Sequence, residues 1–397
     1  VQFLHGIKWS FNIKKEYLIC FLQHRDVNYS IVAFLHLHAA LSSRDGLGAK
    51  CKIVFACTLH NSPELRSLKS QFSDLYDIDI FECDGPYLLK INAIFKKYSV
   101  DDYPFFIKHD EDIFISKETW ISFLENSSLE LNNHRSLLTT VNLSTGIPSW
   151  RNFCQSFFTS EENEFISKEL SQSPVPNKLW GNDYSPLNEY LKTNNLKWDE
   201  DGYWELMNRL GHHYRGLHPI RVFLKFSIYI NNVILKRYDS FQNKIPSNKF
   251  EEVSDRYLCN SFFCIDYKKY KKIIYDDTLF VDLFDEVPIN SYALKNQLNF
   301  CFLKDSLGIH IIYNSVYDEK AIIANKTYSG REVEGHFLDL YLLKMQKYLI
   351  DSGDITIKGV NFYKPSLYLR IRRFLQRFDL FVSTYRAIKR IFSGLNT

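Results

Sequence analysis

Over the first 115 residues, short apolar runs alternate with longer amphipathic stretches. Tyr17–Leu22 (YLICFL), residues 52–57 (KIVFAC), 79–83 (DIFEC) and 103–107 (YPFFI) read as strands. Between them, residues 29–41 read as a mostly apolar helix, Ser62–Phe72 as a second, and 86–97 as a third with Pro86 in its first turn. Continuously apolar strands that alternate with helices predict a largely parallel sheet covered on both faces. Ligands of such sheets bind outside the carboxyl ends of the strands.

A polar, helix-rich section follows over 145–250. The strand–helix pattern resumes with 257–265, a helix at Tyr267–Ile274, and two strands at 300–303 and 308–313. Residues 364–390 form a basic amphipathic helix pattern. The expected organisation is α/β: a nucleotide-binding half (1–144), a helical insertion (145–250), a second half (251–350) and a basic appendage (351–397). Residues 183–190 and 285–292 share Asp, Pro, Asn and Tyr in register; both read as helix starts with Asp as N-cap, not as a duplicated domain.

Composition changes this picture little. With 45% hydrophobic and 24% charged residues, the chain is that of an ordinary globular protein. A net charge of +3 argues against a dedicated nucleic-acid binder. The eight cysteines include no C-x-x-C pair, which excludes a zinc ribbon or redox motif and favours free thiols in a reduced cytoplasm. Sequons at Asn28, Asn126, Asn142 and Asn325 point the other way, but a chain rich in Asn and Ser produces chance matches. The expected location is cytoplasmic and peripheral on the inner membrane face. The Golgi lumen is the alternative should an N-terminal anchor precede Val1. His36 and His38 lie in an apolar helix and read as structural. Asp45-Gly46-Leu47-Gly48 lacks the third glycine of a dinucleotide fingerprint.

The strongest chemical signal is the segment 105–114, FFIKHDEDIF. An apolar strand runs into Asp110, Glu111 and Asp112 and then turns apolar again. Carboxylates at a buried strand end are costly unless something cationic compensates them. Two of them separated by one residue suit Mg²⁺ or Mn²⁺ that also holds a diphosphate. An exposed acidic turn is the plain alternative. Further along, Asp285 and Glu286 stand before Pro288 in a helix start, where Asp285 also fits an N-cap. His310 follows in an apolar run.

This order (α/β half, apolar strand, D-x-D, later acidic helix start, terminal His) resembles the GT-A glycosyltransferases. Bacterial enzymes of lipopolysaccharide O-antigen or capsule synthesis are the nearest kind. The resemblance covers about residues 15–115 and 255–315. It implies a UDP- or GDP-linked sugar donor, bound near Gln23, Arg25, Asp26 and Asp84, with Lys90 and Glu111 beside it. It also implies Asp110, Asp112 and His310 as ligands of Mn²⁺ or Mg²⁺, and Glu286 or Asp285 as the base facing a glycan or lipid-linked glycan acceptor. The long stretch between the D-x-D and the later acids departs from the pattern and is assigned to the insertion. A second cluster, residues 211–221 (GHHYRGLHPIR), resembles the H-x-x-G-x-x-K-P segment of some retaining enzymes, one residue short. It offers His213 as a rival metal ligand, with Arg215, His218 and Arg221 as phosphate or acceptor contacts and Asp183 as the nearby acid.

Two other functions share the same residues: nucleotidyl or sugar-phosphate transfer, which also needs acids and Mg²⁺, and non-catalytic glycan binding. For the tail, Arg and Lys residues around an apolar stripe suit an anionic membrane surface.

Overall fold

The computed structural model describes residues 15–23, 27–85, 87–172, 178–179, 182–183, 185–197, 202–206, 224–253, 257–258, 261–276, 285–310 and 336–353. Arg25, Asp26, Cys259, Asn325, the cluster 211–221 and the basic segment 364–390 lie outside these residues.

The strands are β1 (Tyr17–Leu22), β2 (Cys51–Cys57), β3 (Asp77–Glu82), β4 (Phe105–Asp110), β5 (Ile113–Ile115), β6 (Ser136–Leu143), β7 (Lys178–Leu179), β8 (Asn182–Asp183), β9 (Phe250–Val253), β10 (Phe262–Asp266) and β11 (Asn299–His310). Nine of them form one mixed sheet in the order β3-β2-β1-β4-β10-β6-β11-β5, with β9 also paired to β11. β1, β2, β3 and β4 run parallel, and β6 and β11 are parallel to one another. β10 lies antiparallel between β4 and β6, so β6 and β11 point the same way as β4. The predicted sheet is therefore mainly parallel, with three strands (β5, β9 and β10) reversed.

Helices cover both faces. They are α1 (Val27–Ser42), α2 (Ser62–Phe72), α3 (Tyr87–Lys97), α4 (Lys117–Leu131), α5 (Trp150–Phe157), α6 (Ser160–Gln172), α7 (Ser185–Thr193), α8 (Leu224–Lys236), α9 (Tyr238–Gln242), α10 (Tyr267–Ile274), α11 (Glu286–Asn296) and α12 (His336–Asp351). One core packs α1, α2 and α4 against Ile19, Phe21, Phe55 and Ile107; the other packs α3, α10 and α11 against Leu18, Cys20, Phe106 and Phe263. Successive side chains of a strand point to opposite faces. On β4, Phe106 therefore shares the α3 face with Lys108 and Asp110, while Ile107 shares the α1 face with His109. That alternation decides where each polar residue of the D-x-D segment goes.

The pattern placed β1, α2 and α10 at their observed ends. Elsewhere the structure differs in ways that matter for the site. β4 continues to Asp110, past the predicted end at 107, because Lys108 and His109 both find buried partners. The predicted strand 257–265 begins only at Phe262. The two strands at 300–303 and 308–313 are one strand up to His310, interrupted by a register shift where Asp305 adopts φ 57. The helical section does not stand apart: Phe153, Tyr203, Ile230 and Tyr238 share a core with α1 and with Met345 and Leu349 of α12. A division at 250 also falls within the β9 strand.

Every described cysteine is a free thiol. Asn142 is buried in β6, so its sequon is closed to a glycan in the folded chain. His36 and His38 are buried and bonded to Tyr238 and Tyr76. No helix among the described residues is long and apolar enough to cross a membrane.

Candidate functional site

The polar residues gather at the carboxyl edge of the sheet. β4 ends on Asp110, the chain turns through Glu111 and Asp112, and β5 starts at Ile113. Because β5 pairs antiparallel with β11, Ile113 stands opposite His310. This brings His310 Nε2 to 3.8 Å from Asp112 Oδ1, with both side chains mostly buried. The loop after β6 fixes the histidine's backbone: its N–H donates to Ser144 Oγ (3.1 Å), and its carbonyl accepts from Thr145 Oγ1 (3.3 Å).

Asp285 comes to the same edge from the start of α11. It holds the N-cap position, yet its side chain makes no capping bond. Its Oδ2 accepts from the Tyr270 hydroxyl at 2.6 Å, and its Oδ1 lies 3.3 Å from Lys108 Nζ. Lys108 Nζ is also 3.6 Å from Asp110 Oδ1 and sits 4.3 Å over the Tyr87 ring. The expectation that Asp285 caps its helix is thus corrected. The Asp285 carboxylate is fully buried and bonded on both oxygens. Burial pushes the Asp285 carboxyl above its usual range, with Lys108 and Tyr270 opposing. Glu286, one residue on, is half-buried and accepts from the Tyr257 hydroxyl at 3.1 Å.

Asp110 records how closely these acids converge. Burial lifts its carboxyl well above the ordinary value; Lys108 pulls it down, and Asp112, Asp285 and Glu286 push it further up. Acids from two distant segments therefore act on Asp110.

The donor-side residues also meet. Gln23 is buried at the end of β1, and Lys90 of α3 donates to its carbonyl at 2.5 Å. Burial lowers the Lys90 pKa, opposed first by Glu111 and then by Cys83, Cys57 and Asp84. Lys90 thus stands among the ends of β1, β2 and β3 and the turn after β4. Asp84, exposed, accepts from the Leu59 N–H at 3.4 Å. Asp183, by contrast, lies in the β7–β8 ribbon, outside this sheet.

His109, the remaining residue of the segment, belongs to the opposite core. It stacks on Trp120 at 5.7 Å and 9° and lies 4.5 Å from the Phe21 ring. Its Nδ1 is 2.8 Å from the Asp110 carbonyl, which can only accept, so Nδ1 carries the proton. Burial lowers its pKa to about 3.

Of the expected ligands, Asp112 and His310 stand close enough to share a divalent cation. Asp110 Oδ1 is buried and, among the described residues, has no hydrogen-bond partner, with the Lys108 ammonium 3.6 Å away. Two ligands at about 2.1 Å from one Mg²⁺ can stand up to about 4.2 Å apart, and Asp112 and His310 are within that limit. Among the described residues, no group of three His, Cys, Asp or Glu side chains is placed to hold a metal ion by itself.

Lys108, Tyr270, Tyr257, Ser144 and Thr145 went unnoticed in the sequence. Lys108 alone left a signal: a lysine inside an apolar strand, two residues before an acid and on the same face, must be paired.

No protein-family model matches the chain, and no curated protein matches it. Among solved structures, one similar chain is 4-diphosphocytidyl-2C-methyl-D-erythritolsynthase from Anaerococcus prevotii DSM 20548, with 10% identity and a TM-score of 0.24. The likeness covers 32% of this chain and 56% of that one, just over half of its length, and carries no weight for activity.

Proposed function

We propose that the chain is a GT-A type glycosyltransferase, moving a sugar from a UDP- or GDP-linked donor to a glycan acceptor with the help of Mn²⁺ or Mg²⁺. One observation carries this reading: at the carboxyl edge of a mainly parallel sheet Asp112 meets His310, and Lys108 joins Asp110 to Asp285, the neighbour of Glu286. Asp112 and His310, with Asp110, would hold the metal, which when bound supplies Lewis-acid neutralisation of the departing nucleoside diphosphate. Lys90 orders the donor edge by binding the Gln23 carbonyl. Glu286 accepts the proton of the acceptor hydroxyl as that oxygen attacks the anomeric carbon, while the diphosphate leaves with the bonding electrons. Tyr257 aims the Glu286 carboxylate through its hydroxyl. A lipid-linked acceptor, and contact of residues 364–390 with an anionic membrane, belong to the same proposal and rest on sequence pattern alone.

The test is incubation of the full chain with a panel of nucleotide sugars, glycan acceptors and Mn²⁺, followed by product analysis. Free nucleoside diphosphate with an extended glycan is the expected result. Pyrophosphate or nucleoside monophosphate would instead assign nucleotidyl or sugar-phosphate transfer. Glycan binding with no turnover of any donor would make the chain a binding protein.

A further inference from the structure

Lys108 is buried in the middle of the sheet, with a side chain only 3% exposed, and it reaches two acids that arrive from different parts of the chain. Its Nζ stands 3.3 Å from Asp285 Oδ1 and 3.6 Å from Asp110 Oδ1, backed by the rings of Tyr87 at 4.3 Å and Phe263 at 5.5 Å. The rings close the apolar side of the ammonium, leaving its charge directed at the carboxylates. Asp285 in turn is gripped from its other oxygen by Tyr270. Since the Asp285 side chain makes no capping bond to its own helix, its carboxylate is a handle by which β4 and α10 hold the first turn of α11. Glu286 is the next residue of that turn, and Asn290 ties the Glu286 carbonyl and Leu258 to the same turn.

We propose that Lys108 is a positioning residue: by joining Asp285 to Asp110 it sets the separation between Glu286 and the metal side of the site. This rests on the glycosyl-transfer reading above. The ammonium acts through the two acids, and its rigidity comes from the strand that carries it. Methionine at 108 keeps the apolar stem but leaves Asp285 and Asp110 facing each other without a link.

The experiment uses the full chain with a nucleotide sugar, acceptor and Mn²⁺, reading kcat, donor KM and the urea unfolding midpoint. It compares wild type, Lys108→Met, Lys108→Arg, Tyr270→Phe and the double variant Lys108→Met/Asp285→Asn. Lys108→Met is expected to lose about 100-fold in kcat, the order that a displacement near 1 Å produces, with donor KM within about threefold. Lys108→Arg, which can still bridge both acids, should recover most of the loss. The double variant, charge-balanced but unlinked, should regain the wild-type midpoint and not the kcat. Should Lys108→Met fail to fold, Tyr270→Phe and the double variant carry the test, with a loss of about tenfold expected for Tyr270→Phe. Wild-type kcat in Lys108→Met, or a double variant that regains both midpoint and kcat, overturns the proposal. No product from wild type with any donor overturns the glycosyl-transfer reading itself, which separates the two failures.

Discussion

His310 Nε2 lies 3.8 Å from Asp112 Oδ1, the imidazole arriving on β11 and the carboxylate on the turn between β4 and β5. The pairing of β5 with β11 makes this approach, so a feature of sheet topology assembles the two groups. If they share a metal, Asp112→Asn and His310→Ala should each raise the Mn²⁺ concentration for half-maximal activity by about tenfold or more. Mn²⁺ titration of activity, alongside thermal shift with Mn²⁺ alone, checks this. An unchanged Mn²⁺ requirement in both variants would remove His310 and Asp112 from the metal site.

Gly308 prepares that approach from two residues upstream. A Cβ there would stand 2.6 Å from Leu143 Cδ2, 2.9 Å from Val141 Cγ2 and 3.1 Å from the Asn142 carbonyl. All three belong to β6, paired directly with β11; the Asn142 carbonyl is backbone and the Leu143 and Val141 methyls are packed in the core. Gly308→Ala should cost about 1–3 kcal/mol of stability by overpacking. Because β11 must shift to relieve the clash, Mn²⁺-dependent activity should fall with it. Urea denaturation and the same Mn²⁺ titration measure both effects; a variant as stable as wild type would show that β6 yields.

Much of the fold could be read from the chain because its strands are continuously apolar. β1 is buried at every position and α10 shows its buried face as Tyr267, Tyr270, Ile273 and Ile274. Other elements were hidden by polar residues whose partners are distant. In β6, Thr140 donates to the Phe262 carbonyl and the Asn142 N–H donates to Ser306, so SLLTTVNL is fully buried without looking apolar. Lys304 and Asp305 looked like the end of a strand and are instead an irregularity within β11. The site divides the same way. The acids were legible as residue types at a strand end. That Asp285 belongs to Lys108 and Tyr270, leaving Glu286 as the acid at the edge, depends on contacts no spacing encodes.

His109 sets an acid limit on stability. Its pKa falls from 6.5 to about 3 on folding, because burial among Phe21, Trp120 and Phe262 excludes the charged form. Between these values the unfolded chain binds a proton that the folded chain refuses, so stability rises with pH across this window and is lost on acidification. The slope from this group is about 1.4 kcal/mol per pH unit at most. Asp110 and Asp285, whose carboxyl pKa values are raised, act with the opposite sign, so the comparison has to be with a variant that changes His109 alone. His109→Phe, which keeps an aromatic ring in the cage, should flatten the fall in unfolding free energy between pH 6.5 and about 3. Parallel profiles for variant and wild type would mean that the imidazole is not held neutral.

Asp285 and Glu286 are adjacent acids with different surroundings, and amide substitution separates them. Asp285 is inside, bonded to Lys108 and Tyr270; Asp285→Asn leaves the ammonium with Asp110 as its remaining acid of the pair and should cost about 3 kcal/mol, the low end for breaking a buried ion pair. Glu286 is at the edge, held by a hydroxyl, and Glu286→Gln keeps an acceptor for Tyr257. Glu286→Gln should therefore leave the unfolding midpoint near that of wild type. If Glu286 takes the acceptor's proton, as proposed, its loss should lower kcat by about 10²–10⁴-fold with little change in donor KM. Kinetics and urea denaturation on both variants give a two-way pattern: stability lost at 285, kcat lost at 286 with stability kept. A Glu286→Gln enzyme with wild-type kcat would transfer the base's role to another residue. An Asp285→Asn protein as stable as wild type would mean that Lys108 is satisfied without it.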